Sequence, residues 1–324
     1  MALSSSLLTF RRLGIGSVAA ASYGTMVYLT YQFMTANIEK NKDAIEENFG
    51  SSAATATVKY PQEGCNCYTA ITDPKRTQTF DRIAEVYDEQ ISRDENVMLL
   101  PLLRRALIYF NAKGNLLEVG AGTGRNLDYY SSAKIEKVVL TDLSEQMLLQ
   151  AREKVKVHKH KDKFQLFVAD AVNMKKYYPA DSFDTIVDTF GLCSFDDPVA
   201  VLKELQRVCK KDGKILLLEH GRSKSWEGLS NYLDKNAERH ATNGGCVWNR
   251  DLDSILEEAG LEVDSLQTWH FGTTYYVVCK PSAEVKEEMS KSDDDNRSSI
   301  VDFVEAQSDE YASKKRFWDR WLRH

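Results

Sequence analysis

A glycine-rich turn stands near the middle of the chain and reads Glu118-Val119-Gly120-Ala121-Gly122-Thr123-Gly124. It follows a short apolar run and opens a helical pattern, which places it between a strand and a helix. Glycines let backbone N–H groups approach an anionic group at a helix N-terminus. A dinucleotide-binding Gly-x-Gly-x-x-Gly turn would need glycine at position 125, where this chain has Arg125. The turn therefore predicts a ligand site, and its spacing disfavours a nicotinamide dinucleotide.

Short apolar runs and helical patterns alternate along the chain from this turn onward. The runs suited to buried strands are residues 116–119, 138–140, 164–168, 186–187 and 215–218. Helices are predicted from Ser144 as an N-cap and from Pro198 in a first turn. This alternation is typical of a parallel α/β sheet. Residues 261–263 and 275–279, joined through a turn at Gly272, predict an antiparallel pair at the sheet edge.

Acidic residues end the second and third of these strands. Asp142 ends the second, where two carboxylate oxygens can accept both hydroxyls of a ribose. Asp170 and Ala171 end the third, where a side-chain acceptor and a backbone donor can bind an adenine edge. Taken alone, such an acid is more often a cap or a solvated residue. Because parallel strands bring their carboxyl ends to one edge, the ordered set indicates a site for an adenosine-containing ligand.

At these residues the sequence resembles the class I S-adenosylmethionine-dependent methyltransferases, over residues 80–280. The resemblance implies an α/β fold with a Rossmann-like, seven-stranded, mostly parallel sheet and an antiparallel edge hairpin. It also implies S-adenosylmethionine as the cofactor, with the glycine loop at the methionine end, Asp142 at the ribose and Asp170 at the adenine. The cofactor-binding residues implied in this way are Glu118, Gly120, Gly122, Gly124, Asp142, Leu143, Asp170, Ala171 and Thr189.

Further likenesses indicate which subgroups of this family the sequence resembles. Residues 80–88 resemble the N-terminal helix of the ubiquinone/menaquinone-biosynthesis methyltransferases, which folds over the cofactor. A closer likeness is to fungal mitochondrial inner-membrane methyltransferase-like proteins. The residues that carry it are 124–130, 188–194 and 218–223. Membrane-anchored animal thiol methyltransferases are a more distant match, through residues 192–194, 219–220 and 245–246. These likenesses imply an anchored methyltransferase domain and leave the methyl acceptor open.

The acceptor side is predicted at the carboxyl ends of the fourth and fifth strands. The fourth ends at residues 188–191 without the Asn/Asp-Pro-Pro-aromatic turn of methyltransferases that act on adenine or glutamine amides, which argues against those substrates. His220 follows the fifth strand and is the candidate catalytic base for a phenol or thiol, since imidazole titrates near neutral pH. An equally weighted alternative is that it only fixes the loop. Cys193 and Cys246 either line the acceptor mouth or are buried structural cysteines, and His240 is a weaker base candidate.

The N-terminal region predicts a membrane anchor. Residues 13–36 are apolar and uncharged, and at about 1.5 Å per residue they span a bilayer core of about 30 Å. A cleaved secretory signal peptide is the alternative, but no small-residue cleavage pattern closes the run. The lead-in at residues 1–12 is rich in serine, free of acids and contains Arg11, which suits mitochondrial targeting. A single pass in the mitochondrial inner membrane is therefore predicted ahead of the endoplasmic reticulum.

The other segments flank one domain of catalytic size. Residues 37–69 are typical of a linker, and the methyltransferase domain is predicted over residues 70–281. Residues 282–313, with three consecutive aspartates, predict a disordered acidic tail. Residues 314–324 place tryptophan and phenylalanine on one face of a basic helix, which suits a membrane interface or a partner protein.

Composition excludes several function classes. The 324 residues include 42 Lys and Arg against 48 Asp and Glu, and the formal net charge of −6 disfavours binding to nucleic acid. Six cysteines are too sparse for a disulfide scaffold. The pair Cys65-x-Cys67 lacks a second ligand pair, so no metal site is expected.

The sequence thus predicts a membrane-anchored methyltransferase that acts on an O or S nucleophile of an apolar small molecule. A lipid-soluble acceptor, such as a quinone-like phenol or a lipophilic thiol, is motivated by the anchor and by Phe190, Leu192 and Phe195 after the fourth strand. Residues 222–232 are either a mobile cover over the acceptor or a solvated surface helix. The alternative function is a cofactor-fold scaffold for assembly of a mitochondrial membrane complex, with little turnover. No particular protein partner is predicted.

Overall fold

The computed structural model describes residues 76–130 and 133–294. Within this part the helices are α1 (Arg76–Ile83), α2 (Tyr87–Val97), α3 (Leu100–Asn111), α4 (Glu145–Val157), α5 (Pro198–Val208), α6 (Glu227–Gly244), α7 (Leu252–Glu258) and α8 (Ala283–Asp294). The strands are β1 (Gly114–Val119), β2 (Ile135–Asp142), β3 (Phe164–Val168), β4 (Phe183–Thr189), β5 (Cys209–His220), β6 (Glu262–Trp269) and β7 (Thr274–Lys280). Short 3₁₀ helices cover Leu127–Tyr129, Lys161–Lys163 and Ala171–Lys176.

The chain divides into two compact units. Of the first, the structure describes residues 89–100, which form most of α2 and the first residue of α3. The described part of the second comprises residues 76–88, 101–130 and 133–294, and it contains the whole sheet. The fold and the site described below belong to this second unit.

The seven strands form one sheet in the order β3-β2-β1-β4-β5-β7-β6. The first five pair in parallel, whereas β7 runs antiparallel to both β5 and β6. Gly272 supplies the turn between β6 and β7 with a φ of +81°, a backbone conformation that glycine adopts readily. The predicted parallel α/β sheet with an antiparallel edge hairpin is confirmed.

Apolar side chains alternate between the two faces of the sheet and form one cluster on each face. In β1, Leu117 packs in a cluster with Val201 of α5 and Ile255 of α7. Its neighbour Leu116 packs in the other cluster, with Leu107 of α3. Burial on both faces explains why the central strands are continuous apolar runs. The carboxyl ends of β1 to β5 are left at one edge of this core.

Two helix starts follow the capping pattern in the sequence. The Ser144 hydroxyl accepts a hydrogen bond from the backbone N–H of Met147 at 3.1 Å, which caps α4. The Asp197 side chain caps α5 in the same way, and Pro198 occupies the first turn. Both predicted helices are therefore confirmed at their N-terminal ends.

The predicted C-terminal boundary of the domain needs a correction. The acid-rich segment after residue 281 begins with helix α8 rather than with a disordered tail. Lys286 is buried there, and its Nζ donates to the carbonyl oxygens of Gln206 at 3.0 Å and Arg207 at 3.3 Å. These carbonyls end α5, where a cation is stabilised by the helix dipole. Composition alone did not reveal this long-range contact, so the folded region extends past residue 281.

Several predicted segments lie outside the described residues. They are the lead-in at 1–12, the anchor at 13–36, the linker at 37–69 with its Cys65-x-Cys67 pair, and the segment at 314–324. Among the residues that are described, no helix combines the length and the apolar composition needed to cross a bilayer.

Candidate functional site

The glycine turn after β1 requires glycine at three positions. Gly120, Gly122 and Gly124 have φ values of +57°, +53° and +76°, which side-chain-bearing residues rarely adopt. A Cβ on Gly124 would lie 2.8 Å from Cδ1 of Leu127, so a larger residue would also clash there. A Cβ on Gly122 would approach only the Gly120 carbonyl oxygen, at 4.0 Å, and would otherwise point into open space. The turn therefore presents bare backbone to the space in front of it.

Side chains from neighbouring elements hold this turn in place. The backbone N–H of Gly122 donates to Oδ2 of Asp142 at 2.8 Å, and that of Ser144 donates to Oδ1 at 2.8 Å. Asp88 accepts a hydrogen bond from the Thr123 hydroxyl at 2.7 Å. Burial raises the pKa of Asp142. Each oxygen of Asp142 keeps acceptor capacity for a ligand hydroxyl, because a carboxylate oxygen has two lone pairs.

An apolar surface lies beside the two predicted acids. Leu143 and Val172 are 52% and 40% exposed although both are large and apolar. Between them in sequence, Asp170 caps a 3₁₀ helix by accepting from the backbone N–H of Val172 at 3.1 Å. Exposed apolar side chains next to hydrogen-bonding groups are typical of a site for a flat, polar-edged ring.

A buried network centred on Glu118 lies behind the glycine turn. Its carboxylate accepts from the Tyr130 hydroxyl at 2.5 Å and from the Asn126 amide at 2.9 Å. Burial raises the pKa of Glu118 to about 7. The Arg104 charge acts on the same carboxyl and favours its ionised form. The network therefore brings an acidic side chain, Glu118, and a cationic one, Arg104, close together at the carboxyl end of β1.

Arg104 is a site residue that the sequence analysis missed. It is buried, its Nη1 donates to Oδ1 of Asn126 at 3.2 Å and to the hydroxyl of Thr189 at 2.5 Å, and its guanidinium lies 4.8 Å from the centroid of the Phe190 ring. A signal existed in the sequence, since Arg104 interrupts the otherwise apolar face of α3 that contains Leu107.

One cavity of about 440 Å³ collects most of these groups, a volume typical of a small-molecule site. The predicted residues that line it are Glu118, Gly120, Gly122, Asp142, Leu143, Asp170, Ala171 and Thr189. Gly124 does not line it and lies instead in a neighbouring surface groove with Arg125. Eight of the nine predicted residues therefore line one cavity, while Gly124 serves the turn itself.

Helix α1 forms another wall of the cavity, as the likeness over residues 80–88 implies. Arg76 and Phe80 line it. Nη1 of Arg76 donates to the carbonyl oxygen of Ser194 at 2.7 Å and pairs with Asp196 at 2.9 Å. Ser144 donates to Asp81 at 2.5 Å, which ties α1 to the start of α4 as well. The helix thus connects the β2 and β4 sides of the site.

The acceptor side differs from the prediction. His220 is not among the residues that line the cavity. Its ring centroid lies 5.3 Å from that of Phe190, which does line it, and its Nε2 lies 2.8 Å from Sγ of Cys246. Cys193 and Cys246 are buried and also absent from the cavity wall. The structure therefore gathers His220 and both cysteines near Phe190 and outside the lining of this cavity.

The other predicted acceptor groups also lie away from the cavity. His240 stacks on Trp248 at 3.8 Å, and burial lowers its pKa to about 4, so it is a poor base. Arg222 pairs with Asp234 at 2.9 Å, and Trp226 precedes α6 without lining the cavity. For residues 222–232 these contacts favour the surface-helix alternative over a cover.

Two buried acids behind the cavity were also missed. Asp188 is the second-last residue of β4, and Glu219 is the second-last residue of β5. Both side chains are fully buried. Burial raises the pKa of each carboxyl well above its usual range. One oxygen of Glu219 accepts from the backbone N–H of Gly191 at 3.0 Å. A sequence signal was present, because acids are uncommon inside otherwise apolar parallel strands.

Comparison with known proteins agrees with this geometry. Methyltransferase OMS1, mitochondrial, from Saccharomyces cerevisiae is 35% identical over 257 residues, which cover 74% of this chain and 54% of that protein. A demethylmenaquinone methyltransferase from Bacteroides fragilis is 30% identical over 173 residues, covering 50% of this chain and 67% of that protein. This chain thus spans little more than half the length of the yeast relative.

The fold and the family are consistent with each other. The structure of the cyclase SpnF superposes with a TM-score of 0.50 at 14% identity, covering 63% of this chain and 94% of that one, which is a likeness of fold. The methyltransferase domain family matches residues 89–266, more than half of the 324 residues. The chain therefore belongs to the S-adenosylmethionine-dependent methyltransferases and takes S-adenosylmethionine as its cofactor.

Proposed function

We propose that this protein is a membrane-anchored mitochondrial methyltransferase that methylates an O or S nucleophile of an apolar small molecule. The observation that carries the proposal is the composition of the cavity. Its lining combines bare glycine backbone and fixed carboxylates with the aromatic rings of Phe190 and Phe195, which follow β4. Polar groups that can bind adenosine and aromatic surface in one cavity suit a charged methyl donor and an apolar acceptor.

The polar residues of the cavity fit the cofactor. Asp142 has acceptor capacity for the ribose hydroxyls, and Leu143 offers an exposed apolar surface for adenine beside Asp170. Glu118 and Arg104 place opposite charges near the glycine turn, where they would bind the ammonium and carboxylate groups of the methionine end. These assignments include the predicted contacts of Ala171 and Thr189, which line the same cavity.

The chain's own contribution to the reaction is alignment and exclusion of water. When bound, S-adenosylmethionine supplies a methyl group on a sulfonium sulfur. The acceptor takes this methyl group by an in-line displacement in which the sulfur is the leaving group. The Phe195 ring lies over the glycine turn, since a Cβ on Gly120 would touch it at 3.4 Å, and Arg76 holds α1 at the cavity. Such packing fixes the direction of approach and keeps the reacting atoms dry. His220 is proposed as the base only for an acceptor that reaches past Phe190.

The acceptor class is inferred from the cavity wall and from the relatives. Phe190 and Phe195 offer aromatic surface, and residues 188–191 lack the turn expected for an amide or adenine substrate. A bacterial relative is named as a demethylmenaquinone methyltransferase, which supports an acceptor of the quinone class. A lipophilic thiol is the second acceptor within the same proposal.

The location is inferred from the predicted anchor and from one relative. The yeast relative is named as mitochondrial. Residues 13–36 would hold the domain at the inner membrane in a single pass, and residues 314–324 would add a second contact with the bilayer. The endoplasmic reticulum membrane is the alternative location.

Radiolabelled methyl transfer tests the activity. The full chain in detergent would be incubated with S-adenosylmethionine labelled on the methyl group and with mitochondrial membranes, which are then separated into lipid, small-molecule and protein fractions. We expect label in the lipid fraction and none with Gly122→Arg. Label in the protein fraction would overturn the small-molecule acceptor. Intact cofactor binding without label in any fraction would favour the scaffold alternative.

Deleting residues 1–36 tests the anchor separately. The shortened chain should be released from carbonate-washed membranes, and its turnover of a lipid-embedded acceptor should fall more than that of a water-soluble analogue. Equal loss on both acceptors would mean that the segment serves folding or targeting only. Retention on the membrane would contradict the anchor at residues 13–36.

A further inference from the structure

A compact cluster of metal-ligating side chains lies behind the cavity. Sγ of Cys193, Nε2 of His220 and Sγ of Cys246 all lie within 4.8 Å of one another. They come from the loop after β4, the end of β5 and the segment after α6. A backbone hydrogen bond of 2.9 Å from Val247 to the Cys193 carbonyl oxygen joins the first and third segments. The fold itself therefore brings the three ligand atoms together.

The spacing of these atoms matches the coordination shell of a tetrahedral metal ion. With metal–sulfur bonds of about 2.3 Å and metal–nitrogen bonds of about 2.0 Å, ligand atoms around zinc are separated by about 3.5–3.8 Å. His220 Nε2 and Cys246 Sγ are 2.8 Å apart, closer than that, and no two of the three ligand atoms are more than 4.8 Å apart. Small side-chain shifts would therefore admit an ion between them.

The buried carboxyl groups next to the cluster also favour a bound cation. Both side-chain oxygens of Asp188 and Oε2 of Glu219 are fully buried and have no hydrogen-bond partner among the described residues. Glu219 directly precedes His220 in β5, and both carboxyls lie against Gly191, two residues before Cys193, which places them beside the cluster. Buried acceptors without partners are costly, and a nearby cation is one of the few groups that offsets that cost.

We propose that Cys193, His220 and Cys246 bind a zinc ion through two thiolates and one imidazole. Two sulfurs and a nitrogen select soft or borderline cations over magnesium or calcium, which prefer oxygen. Three protein ligands leave one coordination position for water or another small ligand. A zinc-bound imidazole nitrogen has no lone pair left to accept a proton, so this assignment replaces the role of His220 as a base. It also departs from the expectation that the chain has no metal site.

The test measures zinc alone, so it does not depend on the proposed methyl transfer. The full chain is purified in detergent as a background protein with the substitutions Cys65→Ser and Cys67→Ser. These remove a second pair of thiols, which are close to each other in the sequence. Zinc content is measured by mass spectrometry, and affinity by competition with a chromophoric chelator. We expect one equivalent of zinc. Cys193→Ser, Cys246→Ser and His220→Gln should each weaken its affinity by at least about tenfold.

Two matched controls separate ligand loss from general damage. Cys209 and Cys279 are also buried and free, so Cys209→Ser and Cys279→Ser should keep the full equivalent of zinc. Calorimetric binding of S-adenosylmethionine shows that each variant is folded. Should the ligand variants misfold, X-ray absorption on the background protein should show two sulfurs at about 2.3 Å and nitrogen or oxygen at about 2.0 Å.

Three results would overturn the proposal. They are a background protein that binds no zinc, full retention of zinc in all three ligand variants, and a Cys193–Cys246 disulfide in the non-reduced chain. Failure of methyl transfer with zinc still bound would instead count against the proposed function alone.

Discussion

The carboxyl edge of the sheet has two halves that differ in how their polar groups are satisfied. In the cofactor half, at the ends of β1 to β3, Asp142 accepts two backbone hydrogen bonds and Glu118 accepts two from side chains. In the acceptor half, at the ends of β4 and β5, Asp188 accepts none among the described residues, and Glu219 keeps one oxygen without a partner. Glu118 in the first half and Asp188 in the second are both buried, so solvent does not explain the difference between these two acids.

The difference indicates two ways of building a site. The cofactor half is already arranged for a ligand, because its donors and acceptors are held by neighbouring backbone and the glycine turn leaves space in front. The acceptor half instead holds two carboxyl groups in a close-packed region, where burial favours their protonated form unless a cation lies nearby. Substitutions should therefore affect ligand binding in the first half and folding stability in the second.

Gly122→Arg should have the largest effect and should act mainly on binding. The new side chain would enter the cavity, because a Cβ at this position points into open space. We expect cofactor affinity to fall by at least about a thousandfold, or about 4.1 kcal/mol, in calorimetry on the full chain in detergent. Gly244→Arg is the control, since a Cβ there meets nothing within 4 Å. Undiminished binding by Gly122→Arg would contradict the assignment of the cofactor half.

Gly191→Ala tests the opposite half with a smaller side chain. A Cβ on Gly191 would lie 2.1 Å from Oδ1 of Asp188, which is fully buried and has little room to move. We expect the free energy of unfolding to fall by about 3 kcal/mol in denaturant titration. Gly122→Ala, with positive φ but no clash, should cost only about 1 kcal/mol. Equal losses in the two variants would remove the contrast between the halves.

Asp142→Ala should weaken cofactor binding by about 1–3 kcal/mol. The substitution removes the acceptor for a ribose hydroxyl and also the acceptor for the backbone N–H of Gly122, so the turn loses one of its supports. Calorimetry with S-adenosylhomocysteine measures the change. Asp128→Ala is a matched control, because Asp128 is exposed and does not line the cavity. If both variants bind equally well, Asp142 is only a structural residue.

The ionisation of Glu118 should make cofactor binding depend on pH. Burial raises its pKa to about 7, so at neutral pH the free protein carries this carboxyl partly protonated. A cationic ligand beside it favours the ionised form, and binding therefore releases a proton. Affinity should rise between about pH 6 and about pH 8, by less than about tenfold per pH unit, and level off above. Glu118→Gln should show a flat profile, and a rising profile in that variant would assign the effect to another group.

The same raised pKa predicts the direction of a stability change. The folded state binds the proton of Glu118 more tightly than the unfolded state does. The contribution of this carboxyl to the free energy of unfolding should therefore fall as pH rises from about 4.5 through about 7. Comparison of the unfolding profiles of the wild type and Glu118→Gln isolates this contribution.

Ser144→Ala should have the smallest of these effects. The hydroxyl caps α4 through Met147 and donates to Asp81 of α1, so its loss should cost about 1 kcal/mol of stability. Denaturant unfolding measures it, with the exposed Ser254→Ala as a control that should change stability by less than about 0.5 kcal/mol. A loss of stability well above that found for other N-caps would mean that the hydrogen bond from Ser144 to Asp81 of α1 stabilises the cofactor half more than the glycine turn does.

The sequence by itself determined the sheet, the glycine turn and most of the cofactor half. Strands buried on both faces must be apolar, and the turn needs glycine because of its positive φ values. Asp142 and Asp170 stood out because they end strands, and parallel strands end at one edge of a sheet. These are local constraints, which act between neighbouring residues and therefore leave a pattern in the sequence.

Only the tertiary structure decided the rest, because it depends on contacts between distant segments. Arg104 of α3 contacts Thr189 at the end of β4, and Lys286 binds the end of α5 although the composition around it predicted disorder. His220 lies with Cys193 and Cys246 rather than in the cavity, since the packing of the loops after β4 and α6 sets its neighbours. A residue's type states which bonds it can make, but the partners available to it are fixed only when the chain has folded.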